Sequence, residues 1–115
     1  MNSAREDTVR ATRVLSSRLF GGAHYRLEVA AAIAEGDGLV NLTALMQELP
    51  LSADRKVSVN NEIARLRNVG LLVPIEDPAT VRRRWLRRVD SPCWQAFLDL
   101  RDRSQEYLGR AASSE

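Results

Sequence analysis

Apolar residues recur at helical spacing in two N-terminal stretches of the chain. From Thr8 to Phe20 they alternate with arginines so that one face is apolar, and Gly21-Gly22 provides an end for that helix. From His24 to Glu35 the stretch is rich in alanine, the strongest helix former, and Gly36-Asp37-Gly38 forces a turn after it. The pattern predicts two helices, and the alanines predict that neighbouring helices approach the second one closely.

The middle of the chain predicts a short strand and two further helices. Leu39–Leu42 is a candidate for a very short strand, and Thr43 is a suitable N-cap for a two-turn helix that Pro50 closes. After a polar turn at Leu51–Asp54, a longer helix is predicted from about Lys56 to Asn68. Its inward-facing apolar residues are Val59, Ile63 and Leu66, and Gly70 supplies the left-handed residue that ends it.

The last third of the chain predicts a β-hairpin followed by a helix. Leu71–Ile75 is a short apolar strand, Glu76–Thr80 carries turn residues, and Val81–Val89 is a second strand with alternating character. Ser91 is a suitable N-cap, with Pro92 at the first helical position. The apolar side of this last helix comprises Trp94, Phe97 and Leu98.

Composition agrees with a single globular domain over residues 1–115. The chain is 44% hydrophobic and 28% charged, and its 115 residues are enough for one hydrophobic core. No stretch approaches the roughly 20 apolar residues that span a bilayer, and the N-terminus lacks the apolar core of a secretory signal. Cys93 is the only cysteine, so no disulfide can form within the chain. We therefore expect a cytoplasmic protein.

The positive charge is concentrated in one third of the chain. The net charge is only +2, but residues 55–88 hold nine Lys/Arg against three Asp/Glu, a balance of +6. The segments on either side each have a balance of −2. Charge confined in this way indicates a surface that faces a polyanion. A charged surface that meets only solvent is the alternative.

The order of the predicted elements and two sequence runs resemble a class of small bacterial regulators. The runs are NLTALMQEL at 41–49 and VNNEIARLRNVGLL at 59–72, whose I-x-x-L-x-x-x-GLL ending is the most specific part. With LFGG at 19–22 and RRVDSP at 87–92, the likeness to ArsR-like and MarR-like transcriptional regulators covers about residues 12–100. One departure is the turn at 51–56, which is about two residues longer than the usual one.

The resemblance implies a mainly α-helical fold with a small β-hairpin wing, the winged helix-turn-helix, with extra helices at both ends. Residues 1–20 would be the N-terminal helix, 24–89 the DNA-binding core and wing, and 91–110 the C-terminal helix. In such regulators the terminal helices pair to form a two-fold dimer. The alternative is that both helices pack on the core of their own chain.

The predicted helix at 56–68 has the residue types that read DNA. An α-helix fits the major groove, where asparagine binds adenine bidentately and arginine binds guanine or phosphate. The residues expected to contact DNA from this helix are Lys56, Ser58, Asn60, Asn61 and Arg65. A polar face that only meets solvent is the alternative.

Arginines are also concentrated on the second predicted strand. Arg82, Arg83 and Arg84, followed by Arg87 and Arg88, place cations on both faces of that strand, which does not suit a buried sheet. Arginines on a wing can bind phosphates or enter the minor groove, where negative potential is concentrated. We expect one or two of them to pair with nearby acidic residues and the wing to remain basic.

The sequence offers little for metal binding or catalysis. His24 and Cys93 are the only soft metal ligands, which is too few for a structural zinc site. We expect His24 to be a surface or capping residue and Cys93, beside Trp94, to pack inside, although an exposed Cys93 could act as a redox sensor. No nucleophile–base set is evident, so we expect no metal, no cofactor and no enzymatic activity.

Together these features predict a sequence-specific, double-stranded DNA-binding transcriptional regulator that forms a homodimer through its N- and C-terminal helices. A second hypothesis is a winged-helix interaction module whose basic surface docks an acidic protein partner. The sequence identifies neither the DNA sequence bound nor a small-molecule effector.

Overall fold

Five α-helices and three short strands make up the described part of the chain. The computed structural model describes residues 3–75 and 85–113, with side chains from 6 to 75 and from 85 to 109. In chain order the elements are α1 (Ser3–Leu19), α2 (Arg26–Glu35), β1 (Leu39–Val40), α3 (Leu42–Glu48), a 3-10 helix (Ala53–Arg55), α4 (Lys56–Asn68), β2 (Leu72–Pro74), β3 (Leu86–Arg88) and α5 (Pro92–Ser113). This part of the chain is mainly helical with a small antiparallel sheet, as the sequence predicts.

Helices α1, α2 and α5 pack against one another. Small residues allow the close approach: Ala30 and Ala31 of α2 are 2% and 1% exposed. Between α1 and α5, the hydroxyls of Thr12 and Ser104 lie 3.3 Å apart in a buried hydrogen bond. The prediction of close helix packing from the alanines is therefore confirmed.

A second layer, formed by α3, α4 and the sheet, packs on α2 and on the start of α5. It encloses the main hydrophobic core, whose buried members are Val29, Ile33, Val40, Leu45, Leu49, Val59, Ile63, Leu72 and Trp94. The Trp94 indole Nε1 donates to the carbonyl oxygen of Val89 at 2.7 Å, so a buried polar atom has its partner. That hydrogen bond ties α5 to the residue that follows β3.

The three strands form an antiparallel sheet in the order β1-β3-β2. Pairing of β2 with β3 confirms the two strands predicted for a hairpin, and β1 extends the sheet at the other edge of β3. Arg87 of β3 pairs with Leu39 of β1 on one side and with Val73 of β2 on the other, and it is exposed. The predicted turn at 76–80 and residues 81–84, which include Arg82, Arg83 and Arg84, lie outside the described residues.

Some predicted boundaries are wrong. Asn41, and not Thr43, caps α3: its side-chain oxygen Oδ1 accepts a hydrogen bond from the amide of Ala44 at 3.0 Å. The reason is that β1 ends at Val40, so the next residue, Asn41, takes the cap position two residues before Thr43. Helix α1 begins at Ser3 rather than Thr8, and α2 begins at Arg26 rather than His24.

Two other predicted features are confirmed. Gly70 has a φ of +84°, the left-handed conformation that ends α4. Ser91 precedes the first residue of α5, Pro92, and its hydroxyl accepts a hydrogen bond from the amide of Cys93 at 3.2 Å.

Within residues 3–75 and 85–113, no helix has both the length and the apolar character needed to cross a membrane.

Candidate nucleic-acid interface

Helix α4 buries one side and exposes the other. Its buried side holds Val59, which is fully buried, together with Ile63 and the carboxylate-bearing Glu62. Its opposite side is exposed along the full length of the helix. We call this exposed row the outer stripe; its members are Val57, Asn60, Asn61, Ala64 and Asn68.

Cations flank the outer stripe on both sides. At about 100° per residue, the five stripe positions fall within an arc of about 100°. Lys56 and Arg67 then lie beside one edge of the stripe and Arg65 beside the other, and all three are exposed. A surface of this kind has amides and small apolar groups at its centre and positive charge at its margins.

Arg65 shares a carboxylate with a second arginine. Glu62, whose side chain is 10% exposed, accepts from Arg26 Nε at 2.9 Å and 3.2 Å and lies 3.4 Å from Arg65 Nε. The Arg26 guanidinium also lies over the Phe20 ring, 5.3 Å from its centroid. Because one carboxylate balances one of the two guanidinium groups, this cluster retains a single net positive charge. The Arg65 side chain is 65% exposed, so its charge remains available at the surface.

Arg13 of α1 and Tyr25 contact the segment that precedes α4. The guanidinium groups of Arg13 and Arg55 lie 5.3 Å and 5.8 Å from the centroid of the Tyr25 ring. Arg13 also binds both carboxylate oxygens of Glu28, at 2.7 Å and 3.1 Å, and this pairing raises the pKa of Arg13. A further hydrogen bond joins Arg13 Nη2 to the carbonyl oxygen of Pro50 at 3.2 Å. The 3-10 helix runs directly into α4, which begins at Lys56 as predicted.

The two described arginines of β3 differ in their surroundings. Arg87 is exposed on the sheet. The Nη1 atom of Arg88 donates to the carbonyl oxygens of Ile33 and Ala34, both at 2.7 Å, and lies 3.2 Å from that of Gly36. Arg88 therefore caps the carboxyl end of α2, where carbonyl groups lack helical partners. Arg88 is therefore not one of the exposed cations of the strand, because the end of α2 lies beside it.

The structure places the predicted contact residues of α4 on or beside one surface. Lys56, Asn60, Asn61 and Arg65 are exposed, and Ser58 is half-buried at the edge. The predicted contact residues do not include four exposed residues of the same surface, which are Val57, Ala64, Arg67 and Asn68. The spacing of Val57, Asn61 and Ala64 was a usable signal, since positions four and three apart share a helix face.

Cys93 and His24 are both exposed. The expectation that Cys93 packs inside was wrong: Trp94 is the residue that turns into the core, and its neighbour on α5 is rotated away from it by about 100°. His24 lies in the loop before α2, as expected of a surface residue. Among the described residues, no three His, Cys, Asp or Glu side chains lie close enough together to hold a metal ion.

The terminal helices meet within one chain. Helices α1 and α5 pack against each other and against α2, and Trp94 of α5 is only 5% exposed. This packing is the alternative that the sequence left open for their apolar faces. Leu19, at the end of α1, remains 51% exposed. Association of two copies stays a prediction.

The chain was also compared with known proteins. No protein-family model, no curated protein and no solved structure matches it.

Proposed function

We propose that this protein is a sequence-specific, double-stranded DNA-binding regulator of transcription with a winged helix-turn-helix fold. The observation that carries the proposal is the outer stripe of α4 with its flanking cations. Asparagine amides at its centre can hydrogen-bond base edges, and lysine and arginine at its margins can bind phosphates. In this proposal α4 is the recognition helix and lies in the major groove.

The order of the elements supports the fold assignment. The sequence α2-β1-α3-α4-β2-β3, with β3 at the centre of the sheet, is the order found in winged helix-turn-helix proteins. Helix α3 packs on α4, as the first helix of such a motif packs on the second. The wing would then be the connection between β2 and β3, which carries Arg82, Arg83 and Arg84 in the sequence.

Electrostatics supports DNA as the partner. Within the described residues, four exposed cations near α4 and the sheet have no carboxylate oxygen within 4.0 Å; these are Arg55, Lys56, Arg67 and Arg87. A protein that neutralises Z phosphates loses affinity with a slope of about −0.9Z in log K against log salt. If these four residues bind phosphate, each copy of the protein contributes about −3.6 to that slope.

Binding to duplex DNA tests the proposal directly. Fluorescence anisotropy with a random-sequence 20-base-pair duplex in low salt should show binding that weakens steeply as salt is added. A duplex selected from a random pool by the protein should bind more tightly, and Asn61→Ala should remove most of that preference. Arg103→Ala is the matched control, because Arg103 is exposed on α5 and pairs with Asp99. Its binding should equal that of the wild type.

Two results would contradict the proposal. Failure to bind any duplex in low salt would rule out DNA as the partner and leave the acidic-protein module as the explanation of the cations. Unchanged sequence preference in Asn61→Ala would show that α4 does not read bases. The stoichiometry of the complex tests the dimer separately: we expect two copies on a palindromic site, and one copy on an asymmetric site would exclude it.

A further inference from the structure

We infer that the outer stripe of α4 reads A·T base pairs, an inference that rests on the proposed function. In the major groove thymine presents a C5-methyl group, and adenine presents N7 as acceptor and N6 as donor. The stripe offers the matching groups. Val57 and Ala64 present exposed methyl groups, and Asn60, Asn61 and Asn68 present side-chain amides.

The centre of the surface lacks the residue types that read guanine. Guanine is recognised by arginine or lysine donors to O6 and N7. None of the five stripe residues is arginine or lysine. Arg65 and Arg67 lie about 80° to either side of the stripe centre at 100° per residue, where the phosphate walls of the groove would be. Arg65 is also drawn away from the stripe by Glu62, whose Oε1 lies 3.4 Å from its Nε.

The exposure of Val57 is informative because of its position. Val57 is 70% exposed and points along the middle of the arc that the stripe covers, although Val59, two residues along, is fully buried. An exposed valine is common on a protein surface. On a groove-facing row, however, it favours a thymine methyl as its neighbour, because contact removes apolar surface of both groups from water.

The length of the stripe sets the size of the sequence that it reads. From Val57 to Asn68 the helix rises about 16 Å, which corresponds to about five base pairs at 3.4 Å each. Val57 and Asn61 are one helical turn apart, as are Asn60 and Ala64. Each pair places a methyl group about 6 Å from an amide, so we expect thymine and adenine within two base pairs of each other.

Base analogues in the selected duplex test the inference. Deoxyuridine in place of thymine removes the methyl group and should weaken binding about 3- to 5-fold at a contacted position. Replacing adenine with 7-deazaadenine removes the N7 acceptor and should weaken binding about 5-fold or more. Replacing adenine with 3-deazaadenine alters only the minor-groove edge, so at the same positions it should leave the affinity unchanged.

Protein variants assign each effect to a side chain. Val57→Ala should lose sensitivity to one deoxyuridine substitution and keep its sensitivity to 7-deazaadenine, whereas Asn61→Ala should show the reverse. Arg67→Ala is the control for a phosphate contact. It should weaken binding to all duplexes by the same factor, so the ratios between their affinities should be preserved.

The outcomes separate this inference from the proposed function. If the selected sequences have G·C pairs where α4 binds, and affinity is insensitive to both major-groove analogues, the A·T inference is wrong while DNA binding stands. If no duplex binds in low salt, the proposed function itself is wrong.

Discussion

Replacing Arg88 with methionine tests whether this arginine of β3 stabilises the fold rather than binding DNA. Its Nη1 atom has two hydrogens and makes two 2.7 Å hydrogen bonds, to the carbonyl oxygens of Ile33 and Ala34. A hydrogen bond to a charged group contributes about 1.5–3 kcal/mol, and a cation at a helix carboxyl end about 0.3–1 kcal/mol. Arg88 is half-buried, and water can replace part of what is lost. We therefore expect a loss of about 2–3 kcal/mol in the free energy of unfolding.

The neighbouring Arg87 provides the matched control. It is exposed on the same strand, so Arg87→Met should change the free energy of unfolding by less than about 0.5 kcal/mol. Urea denaturation followed by circular dichroism measures both variants, and the melting temperature of Arg88→Met should fall by about 10 °C.

The same pair of variants separates the two roles in DNA binding. Arg87→Met should make the salt slope less steep by about one, whereas Arg88→Met, measured where it is folded, should leave the slope unchanged. Equal stability of Arg87→Met and Arg88→Met would refute the capping role. A shallower salt slope in Arg88→Met would show that Arg88 contacts DNA phosphates.

Three further predictions concern stability and reactivity. The hydrogen bonds from Arg101 lower the pKa of Glu35. At pH 7 the free energy of unfolding of Glu35→Gln should therefore be lower than that of the wild type, by less than about 1 kcal/mol. This difference should disappear as the pH falls below about 4, where the carboxylate is protonated. A difference that is the same in urea titrations at pH 7 and pH 3 would contradict this. Val59→Ala should lower the free energy of unfolding by about 2–3 kcal/mol, because buried methyl groups are lost. Val57→Ala should lower it by less than about 0.5 kcal/mol, and urea denaturation measures both variants. Comparable losses would contradict the orientation of α4. The exposed Cys93 thiol should react with Ellman's reagent in the native protein, and a reaction seen only after denaturation would place it inside.

The sequence predicts best where its local signals agree. Helix α4 begins at Lys56 and ends at Asn68 as predicted, because Val59 and Ile63 set the helical phase and Gly70 supplies a left-handed end. The antiparallel pairing of β2 with β3 follows from a short apolar run and a second run of alternating character, separated by turn residues. These features depend on neighbours in the sequence, so no tertiary information is needed to find them.

The errors arise where distant contacts decide. Asn41 and Thr43 are both good N-caps, and only the pairing of β1 with β3 fixes which one follows the strand. Arg88 resembles its neighbours in the sequence, but it lies beside the end of α2, 52 to 55 residues away in the chain. Cys93 adjoins Trp94, and the rotation of α5 about its axis determines which of the two is buried. The exposed Val57 was missed for a different reason, since an apolar residue does not suggest a contact with DNA.

Glu62 links two helices that are far apart in the sequence. It belongs to α4, while Arg26, whose Nε donates to both oxygens of its carboxylate, belongs to α2, 36 residues earlier. Removing Glu62 leaves Arg26 without its carboxylate partner, and removing Arg26 leaves the buried Glu62 with only its 3.4 Å contact to Arg65, so either single change costs more than replacing the two together. Evolutionary change at one position should therefore be followed by change at the other. We expect positions 26 and 62 to covary in related chains, and this pairing offers a way to recognise distant relatives after most of the identity has been lost.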